Sequence, residues 1–191
     1  MRRRLLQLAL VFFLAPSFAT GATSDVQLDR NGSRFAVRSE SYIAASAAVA
    51  WQVLSDYDHL AGFVPDLRVS RVISAPGQPL LVEQSGEAGF LIFRFSVDVV
   101  LEIEEAPPQR LGFRAIRGNM RSMQGEWRIE PSAPGIRLVY TAELEPAFWV
   151  PPIIGPVVMR RDIAGQIEAV LLEIERRQAA ITSPSTTQLA K

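Results

Sequence analysis

Between Leu91 and Glu104 the chain alternates with a period of two. Leu91, Phe93, Phe95, Val97, Val99, Leu101 and Ile103 hold every odd position, while Ile92, Arg94, Ser96, Asp98, Val100, Glu102 and Glu104 hold the even ones. Side chains of a strand point to opposite faces in turn, so this pattern predicts one long strand with a dry face and a mostly wet one. A strand of that length runs roughly 40 Å and must twist and curl around whatever it covers. It needs a large apolar partner.

The segments around it repeat the pattern at shorter length. LRVSRVIS, then LLVEQSGEAG after Pro76-Gly77, precede it, and LGFRAIR follows Pro107-Pro108. Gly118-Asn119 turns the chain into RSMQGEWRIEP, and Pro134-Gly135 into IRLVYTAELE. Met123, Gly125, Trp127 and Ile129 share one face of the first, and Ile136, Leu138, Tyr140, Ala142 and Leu144 one face of the second. The expectation is an antiparallel meander with a single dry face.

Helical periodicity occurs twice. Ser46 is placed to cap a helix over AAVAWQVLSD, and Pro65 stops a short second one. From Val157 to about Ala180, Met159, Ile163, Ile167, Val170, Leu171 and Ile174 recur at helical spacing, with Pro156 in the tolerated first turn. At about 35 Å this helix matches the long strand and supplies its partner.

The ends carry no fold signal. MRRR followed by LLQLALVFFL is a basic region and an apolar run too short to span a bilayer comfortably, the pattern of a secretory signal. Residues 1–22 are therefore expected to be removed, after Ala19 or Ala22, the alternative being an uncleaved anchor. Residues 23–34 form a polar lead-in, either extended or a short strand and turn, and the domain runs from 35 to 181. The tail 182–191 is polar and expected to be disordered.

Export places the protein outside the cytoplasm, most simply in a periplasm. There is no cysteine, so neither a disulfide nor a lipoprotein anchor is available and the core alone must hold the fold. The full chain has 20 basic and 20 acidic residues; without Arg2, Arg3 and Arg4 the balance is −3. Nothing in that balance points to nucleic acid.

Chemistry-bearing motifs are sparse. His59, the one histidine, lies beside Ser55, Asp56 and Asp58 at the break between the two short helices. Groups within five positions on such a break mostly point apart, so no triad is expected. One imidazole without cysteine does not build a zinc shell, and the scattered glycines form no phosphate loop. Glu102, Glu104 and Glu105 fall on the solvated side or the end of the long strand. No catalytic residue, metal or cofactor is predicted.

The sequence resembles the START-like, or SRPBCC, superfamily, and most closely its polyketide cyclase / coenzyme Q-binding branch. The resemblance rests on AWQVLSDYDHLAGFVPDL with its Asp-Tyr-x-x-Leu-x-x-Phe-x-Pro core, on GFLIFRFSVDVVLEIEE, on the Gly-x-Met and Gly-x-Trp of FRAIRGNMRSMQGEWRIEP, and on LEPAFWVPP before the last helix. It covers Phe35 to Ile181. It implies an α+β helix-grip fold: a curved antiparallel sheet of six to seven strands around the C-terminal helix, with two short helices after the first strand.

The resemblance also implies a hydrophobic ligand, quinone-, isoprenoid-, lipid- or polyketide-like, in the hollow between sheet and helix. Residues expected to touch it are Phe63, Phe93, Phe95, Val97, Met123, Trp127, Tyr140, Phe148, Trp149, Met159, Ile163 and Ile167. By strand parity Arg117 and Arg121 share the side of Phe113 and Met123, where either would hold a carbonyl or carboxylate at the mouth. The uncharged segment AFWVPPIIGPVVM, 147–159, is a lid, a membrane-touching patch, or packing at the helix start. Carrying or sequestering is the reading adopted. A cyclase or hydrolase, favoured if a carboxylate or His59 sat in the cavity with a perturbed pKa, and a protein-binding regulator are the alternatives.

Overall fold

The computed structural model describes residues 25–90 and 93–182, apart from the side chains of Phe90 and Phe93. The expectations for residues 1–22 and for the tail beyond Thr182 lie outside the described residues. Eight strands form one antiparallel sheet: β1 (Asp25–Asn31), β2 (Arg34–Ile43), β3 (Leu67–Val72), β4 (Leu80–Phe90), β5 (Phe93–Ala106), β6 (Arg110–Gly118), β7 (Met120–Ser132) and β8 (Gly135–Pro146). Helix α1 (Ala47–Leu54) and a 3₁₀ turn (Tyr57–Gly62) connect β2 to β3, and α2 (Ile154–Thr182) follows β8.

The sheet order is β1-β2-β8-β7-β6-β5-β4-β3. Each strand neighbours the next in sequence except at β2, where two helical pieces carry the chain to the far edge and the meander returns to pair β8 with β2. The count exceeds the expected six to seven because Asp25–Asn31 pairs along β2 from Asp25↔Glu40 to Asn31↔Arg34. Val26 is buried there, and Leu28, the other apolar residue of the stretch, packs half-buried against the same core.

The long alternating strand is β5, shifted from its expected limits: it starts at Phe93 and runs to Ala106. Phe90 pairs with Phe93, so β4 turns back into β5 at the apolar run where a single strand was expected to continue. The apolar run Phe90 to Phe93 is unbroken in sequence, and the one turn signal beside it, Gly89 with φ of 142°, lies just before that run, which is why alternation alone ran through it.

The dry face is the one expected. Val99, Leu101, Ile103, Ile129, Ile136, Leu138, Ala142 and Leu144 are buried, and they meet Ile167, Val170, Leu171 and Ile174 of α2 in one core. Ser46 caps α1, its hydroxyl accepting from the Val49 amide at 3.3 Å. Helix α2 begins three residues before its expected start. Gly155 is buried there against Val150, whose Cγ1 would lie 2.3 Å from a Cβ at that position, so any larger residue has to displace the Val150 side chain where the connection packs onto the helix start.

Candidate functional site

The residues suspected of acid–base chemistry all have structural work. Asp56 accepts from His59 Nδ1 (2.6 Å) and from Arg177 Nη2 of α2 (2.7 Å). Burial works against its charge, but these two donors outweigh it and hold the carboxyl below the usual aspartate range. Asp58 accepts from the Val72 amide at 2.8 Å, and the Ser55 hydroxyl donates to the Trp51 carbonyl at 2.8 Å. His59 is 76 % exposed. The cluster is a corner that ties α1, α2 and β3 together.

A cavity of about 200 Å³ lies instead under the start of α2. Its apolar wall comes from Phe95, Val97 and Val99 of β5, Met120 and Met123 of β7, Leu144 and Pro146 of β8, and Phe148 and Val150 of the connection that follows. Helix α2 contributes Met159, Asp162, Ile163 and Gln166 among others, and β4 contributes residues 84–89. Ile154 and Asp66 both line the cavity and are exposed, which marks where it reaches solvent. The volume falls below the roughly 300–1,000 Å³ of sites that enclose drug-sized molecules. A long lipid would enter only in part unless the cover moves.

That cover is the segment 147–155. Phe148 stacks on Phe95 with ring centroids 4.9 Å apart and planes 8° from parallel. The Ala147 amide donates to the Asn119 carbonyl (3.2 Å), and Arg30 Nη1 donates to the Pro152 carbonyl (3.0 Å). Asn119 is anchored in turn to β5: its side-chain amide donates to the Ser96 carbonyl and its side-chain oxygen accepts from the Asp98 amide. The Gly118-Asn119 turn thus serves as the clasp of the cover as well as the joint of a hairpin.

The connection has two apolar faces. Phe148, Val150, Ile154 and Val158 line the cavity, while Trp149 (69 % exposed), Ile153 (85 %) and Val157 (69 %) point to solvent. Lid and exposed patch are therefore the same segment seen from two sides.

Of the residues expected to touch ligand, Phe95, Val97, Met123, Phe148, Met159 and Ile163 come together around this cavity. The side chain of Phe93 lies outside the described ones. Ile167 is buried in the core, and Phe63 packs half-buried against that core away from the cavity wall. Trp127 and Tyr140 form an aromatic block with Phe113, the Trp127–Tyr140 centroids 4.6 Å apart and Phe113–Tyr140 6.1 Å. Burial pushes the Tyr140 hydroxyl above the usual tyrosine range. Trp149 faces solvent.

The parity expected for Arg117 and Arg121 is corrected by two bulges. Between Val100 and Leu101 the pairing skips from Arg117 to Ala115, and between Met120 and Ser122 it skips Arg121. A bulge puts two residues opposite one and moves every later side chain to the other face. Arg117 consequently lies opposite Val100, an outward position, and Arg121 is exposed beside Glu145 at 3.7 Å. Neither lines the cavity.

Polar cavity residues went unforeseen. Gln84 sits opposite Val99 on the inward face of β4 and donates to the buried Ser70 hydroxyl at 3.3 Å. Asp162, one turn along α2 from Met159, accepts from the Gly89 amide at 2.9 Å. Desolvation raises its carboxyl above the usual aspartate range, nearby Asp66 adds to this, and the Gly89 amide and Arg161 oppose it. The only sequence signal was an aspartate within the apolar spacing of α2, between Met159 and Ile163.

A second groove, about 500 Å³, lies on the outer face of the sheet. It is wider but polar, and its charges are spent on one another: Arg110 bonds Glu126 (2.6 Å), Arg114 pairs with Glu102, and Gln124 donates to Glu143 (3.2 Å). Glu102 and Glu104 of β5 lie on this solvated face, whereas Glu105 at the end of the strand accepts from the buried Tyr57 hydroxyl at 2.6 Å. Among the described residues no three histidine, cysteine, aspartate or glutamate side chains gather where a metal would bind.

The model of the polyketide cyclase / dehydrase and lipid transport family matches residues 43–171, more than half of the chain. The chain belongs to this family. Solved structures agree on the fold. The Zhui aromatase/cyclase from Streptomyces sp. R1128 is 20 % identical with a TM-score of 0.63, covering 78 % of this chain and 99 % of that one. A STAR-related lipid transfer protein from Xanthomonas axonopodis is 17 % identical with a TM-score of 0.61, covering 82 % and 94 %. A protein of Thermus thermophilus is 22 % identical with a TM-score of 0.60, covering 78 % and 99 %. No curated protein sequence matches the chain. The architecture is the helix-grip fold, and the cavity between sheet and C-terminal helix is where such a family member has room for a hydrophobic ligand.

Proposed function

We propose that the chain is an exported, periplasmic binding protein that carries or sequesters a hydrophobic small molecule or lipid, quinone-, isoprenoid- or polyketide-like, in the cavity under the 147–155 cover. One observation carries the reading: the hollow between sheet and α2 is walled mainly by apolar side chains, and among its described lining residues no nucleophile is paired with a base. Affinity then comes from apolar burial, at roughly 25 cal/mol per Å² removed from water. The family supports a hydrophobic or lipid ligand. The exposed Trp149, Ile153 and Val157 supply a membrane-touching face beside the entrance, and loading would occur there. No helix of the described residues is long and apolar enough to cross a membrane.

Native mass spectrometry and organic extraction of protein purified from its own envelope test this reading. A co-purifying apolar molecule whose recovery falls in a Met123→Trp variant, which fills the cavity, is the expected result. Protein that is empty, and that also fails to take up quinone or lipid from vesicles, overturns it.

Asp162 favours a second reading. A half-buried carboxyl with a raised pKa facing an apolar cavity is suited to general acid catalysis, as a cyclase or dehydrase would need. Turnover of a polyketide-type substrate that is abolished by Asp162→Asn without loss of binding would select it.

A further inference from the structure

The cavity has two unlike walls. The side made by β5, β7, β8 and the cover is apolar throughout. The opposite side, between α2 and β4, carries Asp162 and Gln166, one helical turn apart on the same face, with inward-facing Gln84 across from them. Asp162 Oδ2 is bonded to the Gly89 amide, and among the described residues no donor bonds Oδ1; the Gln166 amide likewise has no described partner. These are hydrogen-bonding groups in an apolar enclosure with capacity left over.

The charge around them has one sign. Three acids, Asp66, Glu87 and Asp162, line the cavity, and no lysine, arginine or histidine is among its described lining residues. Glu87 is neutralised from outside by Arg68 (2.6 Å) and Arg94 (2.8 Å). Asp66 stands at the rim, and Arg161, next to Asp162 in sequence, lowers the carboxyl's pKa without lining the cavity. An anionic head group placed here would lose its water, find no cation and face Asp162. An alcohol or phenol would keep a hydrogen bond whether Asp162 is ionised or protonated, donating to it in the first case.

We propose that this cavity selects an uncharged ligand bearing a hydroxyl, which is held by Asp162 and Gln166, and that it rejects carboxylates and phosphates. The inference rests on the reading of the cavity as a ligand site and adds the chemical class of the head group. It argues against fatty acids and phospholipid heads as the buried portion.

Calorimetric titration with three matched probes, naphthalene, 2-naphthol and 2-naphthoate, at neutral pH tests it. Naphthol is expected to bind about three- to tenfold more tightly than naphthalene, the worth of one hydrogen bond. Naphthoate is expected to bind more weakly than naphthalene. Asp162→Leu should remove the naphthol advantage, read as the ratio of naphthol to naphthalene affinity within the variant. If that variant does not fold, Asp162→Asn keeps an acceptor for Gly89 and should narrow the gap between naphthoate and naphthol. Naphthoate binding as tightly as naphthol, or an unchanged naphthol advantage in Asp162→Leu, overturns the head-group inference alone. No binding of naphthalene or naphthol, or binding unaffected by Met123→Trp, overturns the cavity reading beneath it.

Discussion

Phe148 lies flat on Phe95, ring centroids 4.9 Å apart, and this stack joins the cover of the cavity to the longest strand of its wall. The two residues belong to segments 53 positions apart, and both rings also line the cavity. Stacking adds about 0.5–1.5 kcal/mol beyond area burial. Phe148→Ala should therefore loosen the cover more than the fold. Amide exchange at 147–155 is expected to accelerate and naphthalene affinity to drop several-fold, with the urea midpoint moved little. A uniform loss of exchange protection across the sheet would show instead that Phe148 belongs to the core.

Asp66 and Gly86 meet backbone to backbone. Asp66 has φ of 61°, its carbonyl accepts from the Glu87 amide at 2.9 Å, and a Cβ on Gly86 would come within 2.3 Å of that carbonyl oxygen. Gly86→Ala must push the turn off β4 and is expected to cost about 1–3 kcal/mol, measured by urea unfolding. Because both residues line the cavity, naphthalene binding should weaken as well. A neutral substitution would mean that the turn swings away freely.

Trp127 packs on Tyr140 at 4.6 Å and does not line the cavity. Trp127→Ala should then cost about 3–5 kcal/mol of stability. Chemical denaturation gives the value, and naphthalene titration on the folded fraction separates the alternatives. Small loss of stability with large loss of binding would place Trp127 against the ligand.

The order of elements was legible because alternation and helical spacing are written directly in residue type. The dry face of β5, β7 and β8, the cap at Ser46 and the partnership of α2 with the sheet all follow from that periodicity. The bulges at β6 and β7 were not legible. They depend on which pairing leaves fewest polar groups unmet across two strands, and one inserted residue reverses the face of Arg117 and Arg121. Asp162 and Gln84 were missed for a related reason. A polar residue inside an apolar period reads as an irregularity until the opposite wall is in place to show that it faces a hollow.

Trp149, Ile153 and Val157 give a prediction independent of the cavity. Replacing all three by serine removes exposed apolar surface and should leave stability near wild type, since the side chains are mostly solvated. Co-flotation with vesicles of neutral phospholipid is expected to fall, while naphthalene binding persists. Unchanged flotation would leave the patch without a membrane role.

Asp56, Arg177 and Glu173 link the corner after α1 to the far end of α2. Arg177 bonds Asp56 and Glu173 at 2.7 Å each, and Glu173 also accepts from Arg176. Hydrogen bonds from Arg176 and Arg177 outweigh burial and hold the Glu173 carboxyl down at about 2, and Asp56 is lowered too. A folded-state pKa below the unfolded value means stability that is complete above the unfolded pKa, 4.5 for Glu173, and lost as pH falls toward about 2. Other lowered carboxylates, Glu40, Glu126 and Glu145, contribute to the same slope, so the comparison must be with a variant. Arg177→Met keeps much of the aliphatic packing and removes the shared donor. Urea midpoints measured from pH 5 to pH 2 should fall more steeply for the wild-type chain than for the variant, the two curves converging at the acid end. Parallel curves would show that Arg177 adds nothing to acid sensitivity beyond the two bonds Arg176 keeps to Glu173, and that the corner is held by Val53, Leu54 and Tyr57, buried in the same core.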